Sequence, residues 1–505
     1  MKATDAYKII NNSPIKGIVL YYTKEVLKEL PVKKLGSVIH IIQTGKTPPK
    51  VNHKYYQSED VNWFKPSDIG YSKYLINAKE KFSKIAVDEK KATIYPKETL
   101  LMIGIGGGVG RVSILKEEGS SNQQITGITF KDEVLAEYAY YYYLVREDYV
   151  KSQAKSMSFP ILNQAKIKEL IFSHPSKEDQ KEFIHFISAC WKAFLKNEIP
   201  NFDDFKINNE LKKYAIKQFK AIKLDSQIKK NIKTQKKLLT QLKQAILQDA
   251  IKGKLTVTWR TGHPVFISGA NSAENLLKQI KAEKAQHIKD GKIKKEKPLP
   301  QITKEEIPFE LPDGWVWCRL GSIVQHNAGK TLHKGQNTGL FRDYITTSNL
   351  YWGYFKLDNV KKIQLEDNEL ERCSATKGDL LICEGGDVGR SSIWNEDYDI
   401  CFQNHIHRIR PHSNINNIYI YYFMMYLYDS NKIIQYKKGM GIGNLSGQSL
   451  ASIALPLPPL EEQKEIAAKV EQLMQKCQDL EAEIKQSETN AQMLMQAVLK
   501  EAFES

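Results

Sequence analysis

Long apolar runs are missing from this sequence; its hydrophobic stretches are short and broken by charge, so none is expected to span a bilayer. No CxxC pair occurs. The six cysteines stand apart at 190, 318, 373, 383, 401 and 477, which excludes zinc modules of the usual spacing and predicts free thiols in a reducing cytosol. Met1-Lys2-Ala3-Thr4-Asp5 carries no apolar signal core, so a cytoplasmic protein without a membrane partner is expected. Signatures of catalysis are equally scarce. Gly104 to Gly110 is glycine-rich, yet GxGxxG fails in every frame because position 109 is Val and position 111 is Arg. A tight turn before Val-Gly-Arg accounts for these glycines better. The Gly-Lys-Thr triplets at 45–47 and 329–331 lack the upstream glycine of a phosphate-cradling loop, since His40 and Val324 stand there. No Asn/Asp-Pro-Pro-aromatic tetrapeptide for amino-group methylation occurs. His405 and His407 alternate like strand neighbours, with no third ligand at metal spacing. No catalytic residue, metal or cofactor is therefore expected on this chain.

What the chain has instead is size, charge and a repeat. At 505 residues it should hold about two to four domains. Its 41% hydrophobic and 10% aromatic content argues for packed globular units. A formal net charge of +16 points to a polyanion among its partners. Lys34-Leu35-Gly36-Ser37-Val38 returns as Arg319-Leu320-Gly321-Ser322-Ile323, and each is followed by Gly-Lys-Thr. Residues 64–69 align with 345–350, Lys97-Glu98-Thr99-Leu100-Leu101 with Lys377-Gly378-Asp379-Leu380-Leu381, and Val109-Gly110-Arg111 with Val388-Gly389-Arg390. A tyrosine-rich stretch follows in each copy, 138–143 and 419–428, better suited to core than to base stacking. Pro175-Ser176-Lys177-Glu178-Asp179-Gln180 then matches Pro459-Leu460-Glu461-Glu462-Gln463. Matching positions lie 279 to 285 residues apart, so the differences are loop lengths within one domain type. Two diverged α+β domains of ~140 residues are predicted.

Each copy runs into a helix. Ile466, Val470, Leu473, Cys477, Leu480, Ile484, Ser487, Ala491, Leu494 and Val498 alternate steps of four and three, a coiled-coil seam. The central counterpart carries Leu211, Tyr214, Ala221, Ile228, Ile232, Leu239, Leu242 and Ile246, after a break at Glu198-Ile199-Pro200-Asn201 and before a stop at Gly253. It holds roughly thirty extra residues between about 192 and 222. Residues 205–254 contain fourteen lysines against three acids, and residues 461–505 five lysines against ten acids. The two helices should thus prefer each other to their own kind, leaving a surplus positive face on the central one. In the connector, residues 273–288 read as a short polar helix. The lysine run at 292–297 is either a solvated linker or a phosphate contact.

The repeated loops supply candidate DNA contacts. In the first copy these are Lys46, Thr47, Lys65, Ser67, Arg111, Ser113 and Gln124; in the second, Lys330, Thr331, Thr346, Ser348, Arg390, Ser392, Gln403, Asn404 and Arg408. Arginine suits guanine edges or phosphate, and Gln or Asn suits adenine N6/N7. The bland alternatives are that the arginines fix each domain's own turn and that the amides cap strand ends.

Two diverged domains, each followed by a helix opening Pro-Leu-Glu-Glu-Gln-Lys-Glu-Ile and closing Gln-Ala-Val-Leu, resemble the specificity subunit of type I restriction–modification systems. The segment Gln244 to Thr256 with Trp259-Arg260 is similar to that family's central region, and Glu310-Leu311-Pro312-Asp313-Gly314-Trp315 to the entry of its second recognition domain. The resemblance implies two pseudo-symmetric target-recognition domains separated by two long helices forming an antiparallel coiled coil, together reading a bipartite asymmetric site in double-stranded DNA. It further implies two methyltransferase subunits using S-adenosylmethionine and restriction-translocase subunits using ATP and Mg. The expected layout is an N-terminal extension 1–30, a first recognition domain 31–176, a central helical region 177–254, a connector 255–309, a second recognition domain 310–458 and a C-terminal helical region 459–505. The extra central residues are the departure from the family's pattern. A non-catalytic scaffold binding protein or RNA is the alternative.

Overall fold

Strand formation follows the fully apolar runs. Leu100–Ile103 and Val112–Leu115 are buried at every position, and the glycine loop between them closes where Gly110, at φ +92°, donates its N–H to the Ile103 carbonyl. Gly389, at φ +90°, does the same to Cys383 in the second copy. The turn reading of these glycines holds. The computed structural model describes residues 13–70, 72–154, 160–290, 298–332, 337–437 and 443–504. The chain divides into two units, Met1–Ile232 with Ser487–Ser505, and Lys233–Gln486.

In the first unit a five-stranded sheet runs in the order Ile39–Thr44, Ile125–Phe130, Leu100–Ile103, Val112–Leu115, Tyr74–Leu75. A smaller sheet places Val61–Phe64 between Glu80–Phe82 and Ser120–Ser121, the last pairing being parallel. The second unit repeats the plan. Val324–Ala328, Ile406–Pro411, Leu380–Cys383 and Ser391–Ile393 form its main sheet, and Leu340–Ile345 pairs parallel with Ile400–Phe402 in the other. The sequence repeat is therefore a repeat of topology, with mixed helix and strand in each copy.

The repeated motifs have structural tasks. Asp68 Oδ2 accepts from the Lys65 N–H at 2.9 Å, and Asn349 Oδ1 from the Thr346 N–H at 2.9 Å, closing one turn type after equivalent strands. Glu98 and Gly378 share a left-handed backbone, φ +62° and +91°, before equivalent strands. Gln180 and Gln463, both fully buried, each accept at Oε1 from the residue that opens the tyrosine-rich helix, Leu135 or Asn416. Each also donates Nε2 to the carbonyl five residues upstream, Pro175 or Pro458. These bonds lock a domain onto the helix that follows it. The tyrosines at 138–143 are all buried, so they are core.

Residues outside the repeat complete each core. Ser13 precedes the helix Pro14–Tyr21, whose Ile15, Ile18 and Val19 are buried; Tyr22 stacks on Phe183 and Tyr21 on Tyr214. The described part of the expected N-terminal extension is thus integral to the first unit. The helix Lys177–Lys196 ends on left-handed Asn197, and Phe202 of the extra segment packs against Phe186 with ring centroids 4.5 Å apart. The central helix then runs Asn209–Ile251, with Gly253 just beyond at φ +67°. The connector helix Ala273–Lys289 is not merely polar, because Ala273, Leu276 and Ile280 are buried in the second unit's core. The lysine run at 292–297 lies outside the described residues. All six cysteines are free and buried.

The second unit also holds part of the helical pair. Lys243 meets Glu481 at 2.7 Å, Lys469 reaches the Leu255 carbonyl at 3.1 Å, and Arg260 meets Glu462 at 2.8 Å. One number rises as its partner falls, so the helix Leu460–Glu504 runs antiparallel to the central one here. Ile466, Val470 and Cys477 are buried in the same core as Ile246 and Ile251, while Leu242 and Leu480 are exposed. Two helices alone cover one side of a seam.

One buried pair makes this unit sensitive to acid. His326 and His407 meet ring to ring at 2.9 Å, and His407 Nε2 donates to the Leu445 carbonyl at 2.7 Å. Burial, with His407 and Arg408 adding, pushes His326 down from 6.5 to about 4. The unfolded chain takes up this proton first, so the contribution is complete above pH 6.5 and is lost as pH falls towards 4. The loss should be on the order of 2 kcal/mol. Urea unfolding of the wild type and His326→Asn at pH 7.5 and 4.5 measures it: the variant should show the smaller drop.

Candidate functional site

The two Gly-Lys-Thr loops pack against the glutamine-bearing turns. A Cβ on Gly45 would lie 2.3 Å from the Ser121 and Asn122 carbonyl oxygens, and one on Gly329 2.1 Å from that of Phe402. Only glycine allows this approach of backbone to backbone. Gly45 donates its N–H to Ile125, and Lys330 donates to Phe402 while accepting from Asn404. Each triplet thus anchors a loop onto a turn, and both copies build the same platform.

The side chains on that platform differ. In the first unit Lys46 and Thr47 are exposed, and Thr47 donates to the Gln123 side chain. Gln124 accepts at Oε1 from Asn122 Nδ2 at 3.0 Å. In the second unit Thr331 is exposed and Gln403 and Asn404 are half-buried, but Lys330 is paired with Glu369, whose carboxyl it holds below the usual range. Beyond the platform, Ser67 and Ser348 are exposed on the equivalent turns. Lys65 pairs with Glu80 and lies over the Trp63 ring. Arg111 pairs with Glu147 at 3.2 Å. Arg390 donates to the Thr347 carbonyl at 2.7 Å, pairs with Asp387 and covers Tyr351. Both arginines are engaged within their own domains, Arg111 with the start of the helix Glu147–Ser152 and Arg390 with its own loop and a neighbouring turn.

Four expected contacts are corrected. Arg408 is 1% exposed and donates to the Glu371 and Ser374 carbonyls, with burial lowering its pKa. Ser113 is buried between the Gly70 N–H and the Ser72 carbonyl. Ser392 is buried in its strand. Thr346 is buried and spends its hydroxyl on Ser348 and Asn349. None of the four presents a side chain to a ligand at the surface.

Sequence reading missed a cleft of about 390 Å³ beside the first platform. It lies between the ends of Ile39–Thr44 and Ile125–Phe130, the backbone at Gly104-Ile105, and the helix Gln164–Glu169. Gln164 Nε2 donates to Thr44 Oγ1 at 3.0 Å, and Thr44 meets Thr126 at 3.2 Å. These residues are 120 and 82 positions apart, so no local pattern announced them.

The sequence profile described as the type I restriction modification DNA specificity domain matches residues 28–202 and again 312–487, one stretch in each unit to within a residue. The chain belongs to the type I restriction modification DNA specificity family. Among the family's curated members, the type I restriction enzyme EcoAI specificity subunit of Escherichia coli is 31% identical over 251 residues, covering 48% of this chain and 41% of that protein. The EcoEI specificity subunit of the same species is 29% identical over 280 residues, covering 52% of this chain and 44% of that protein. The chain therefore spans less than half the length of these relatives. A crystal structure of the HsdS subunit from Thermoanaerobacter tengcongensis aligns over 96% of this chain and 99% of its own at 15% identity, with a TM-score of 0.42. Among the described residues no helix is long and apolar enough to cross a membrane.

Proposed function

We propose that this chain is the DNA sequence-specificity subunit of a type I restriction–modification complex, reading one half of a bipartite asymmetric target through each recognition domain. The observation that carries this reading is one platform built twice with its side chains differently engaged. Lys46, Thr47, Gln123 and Gln124 surround the first, and a neutralised Lys330 with Thr331, Gln403 and Asn404 the second. A repeated support with divergent chemistry suits two unlike half-sites. The exposed Lys46 contacts phosphate and contributes salt-dependent affinity; the amides read base edges. The chain performs no chemistry itself. Its family implies two methyltransferase subunits that bring S-adenosylmethionine, restriction-translocase subunits that bring ATP and Mg, and a cytoplasmic setting.

Mapping of methyladenine across the genome, in cells carrying and lacking this gene, tests the proposal. One split motif should be methylated only in carriers. Unchanged methylation, or a contiguous motif, would overturn it.

A further inference from the structure

We propose that the cleft beside the first platform takes in the major-groove edge of an adenine in the first half-site. This rests on the reading of the chain as a DNA-recognition subunit and names one of its recognition groups. Among the described residues no charged side chain lines the cleft, and its polar groups are amides and hydroxyls, which suit a neutral hydrogen-bonding edge.

The neighbours set what the cleft offers. Gln124 has its Oε1 engaged by Asn122 Nδ2 at 3.0 Å, which turns its Nε2 towards Gly106; a Cβ there would lie 3.8 Å from that nitrogen. Gln164 has its Nε2 engaged by Thr44 Oγ1 at 3.0 Å, which leaves its Oε1 as an acceptor. The residues lining the cleft thus include one amide with its donor end left over and one with its acceptor end left over. Adenine is the base that shows an acceptor, N7, beside a donor, N6, in the major groove; guanine shows two acceptors.

The wall is held by backbone bonds. Gly104 accepts from Leu162 at 2.7 Å and donates to the Gln124 carbonyl at 2.8 Å, and Gly106 donates to the Pro160 carbonyl at 3.0 Å. A Cβ on Gly104 would lie 2.7 Å from the Leu162 oxygen, so glycine is needed where these segments touch. Ile105 and Ile161 bridge at the rim and give the base an apolar flank.

The second unit is built differently at the equivalent place. Thr44 faces Thr126 across the strands of the first unit, whereas Ala328 faces His407 in the second. The His407 ring is buried between His326 and the Leu445 carbonyl. The Thr44–Thr126 hydroxyl pair of the first cleft is replaced there by Ala328 and a buried imidazole, so adenine reading by this set belongs to the first half-site alone.

The test is random-sequence target selection by the full chain with its partner subunits, wild type against Gln124→Leu, Gln124→Glu and Gln164→Leu. One adenine position of one half-site should become degenerate in both leucine variants. Affinity for the native target should fall about 5- to 150-fold, with the other half-site and the melting temperature unchanged. Gln124→Glu, which offers an acceptor for a donor, should shift that position towards cytosine. Placing 7-deazaadenine there should weaken the wild type comparably and add nothing to Gln124→Leu. Stable variants that keep every preference, or that lose a position other than adenine, would overturn the proposal. A wild-type complex that selects no bipartite sequence would instead overturn the function on which it rests.

Discussion

Deleting Leu238–Gln244 together with Leu480–Gln486 should abolish binding to the native target and restore it on a target whose spacer is shorter by two to four base pairs. The two segments face each other in the antiparallel register set by Lys243 with Glu481 and Lys469 with Leu255, and both lie in the second unit. Removing one heptad from each keeps every remaining pair in register and removes both members of the Lys243–Glu481 ion pair at once. A heptad is about 10.5 Å of helix, or about 3 base pairs of DNA, and the lost pairs also rotate one half-site against the other. Selection on random-spacer targets by the assembled complex reads the outcome. Retention of the original spacing would mean that the helices do not set the distance.

Glu462→Ala should destabilise the second unit by about 3–5 kcal/mol, a large part of the 5–15 kcal/mol typical of a folded domain. The carboxylate is fully buried and accepts from Thr256 Oγ1 at 2.7 Å, Arg260 Nε at 3.0 Å, Arg260 Nη2 at 2.8 Å and Trp315 Nε1 at 2.8 Å. It joins the end of the central helix, the connector, the entry to the second domain and the start of the last helix. Truncation would leave a guanidinium, an indole N–H and a hydroxyl without their acceptor. Glu462→Gln keeps the volume but turns donors against donors, so an intermediate loss is expected. Urea unfolding of the full chain should show the second unit's transition move while the first unit's stays.

The repeat, the stop at Gly253 and the part of the seams at Ile246, Ile466, Val470 and Cys477 were legible because they depend on local periodicity and on residues that repeat in order, whereas Leu242, Leu480 and Leu494 of the same seams are exposed. The junction was half legible: Thr256, Arg260 and Trp315 stood out as motifs, but their shared partner Glu462 is 147 to 206 residues away. Arg408, Ser113 and Ser392 misled for one reason. Their strands are covered on both faces, so a polar side chain no longer marks the solvent side. The first-unit helix shows the opposite case. Ile15, Ile18, Val19 and Tyr22 have the spacing of one helical face, and their burial could have been read from that pattern alone. Gln164 could not, since its role arises where three distant segments converge.

Gln180 and Gln463 close their domains onto the following helices with the same two bonds, made to backbone groups whose geometry does not depend on the side chains of the platform loops. A joint of that kind separates attachment from recognition. A domain fastened in this way can change its loops, or give way to another that keeps the two backbone partners, without redesign of the helix that holds it.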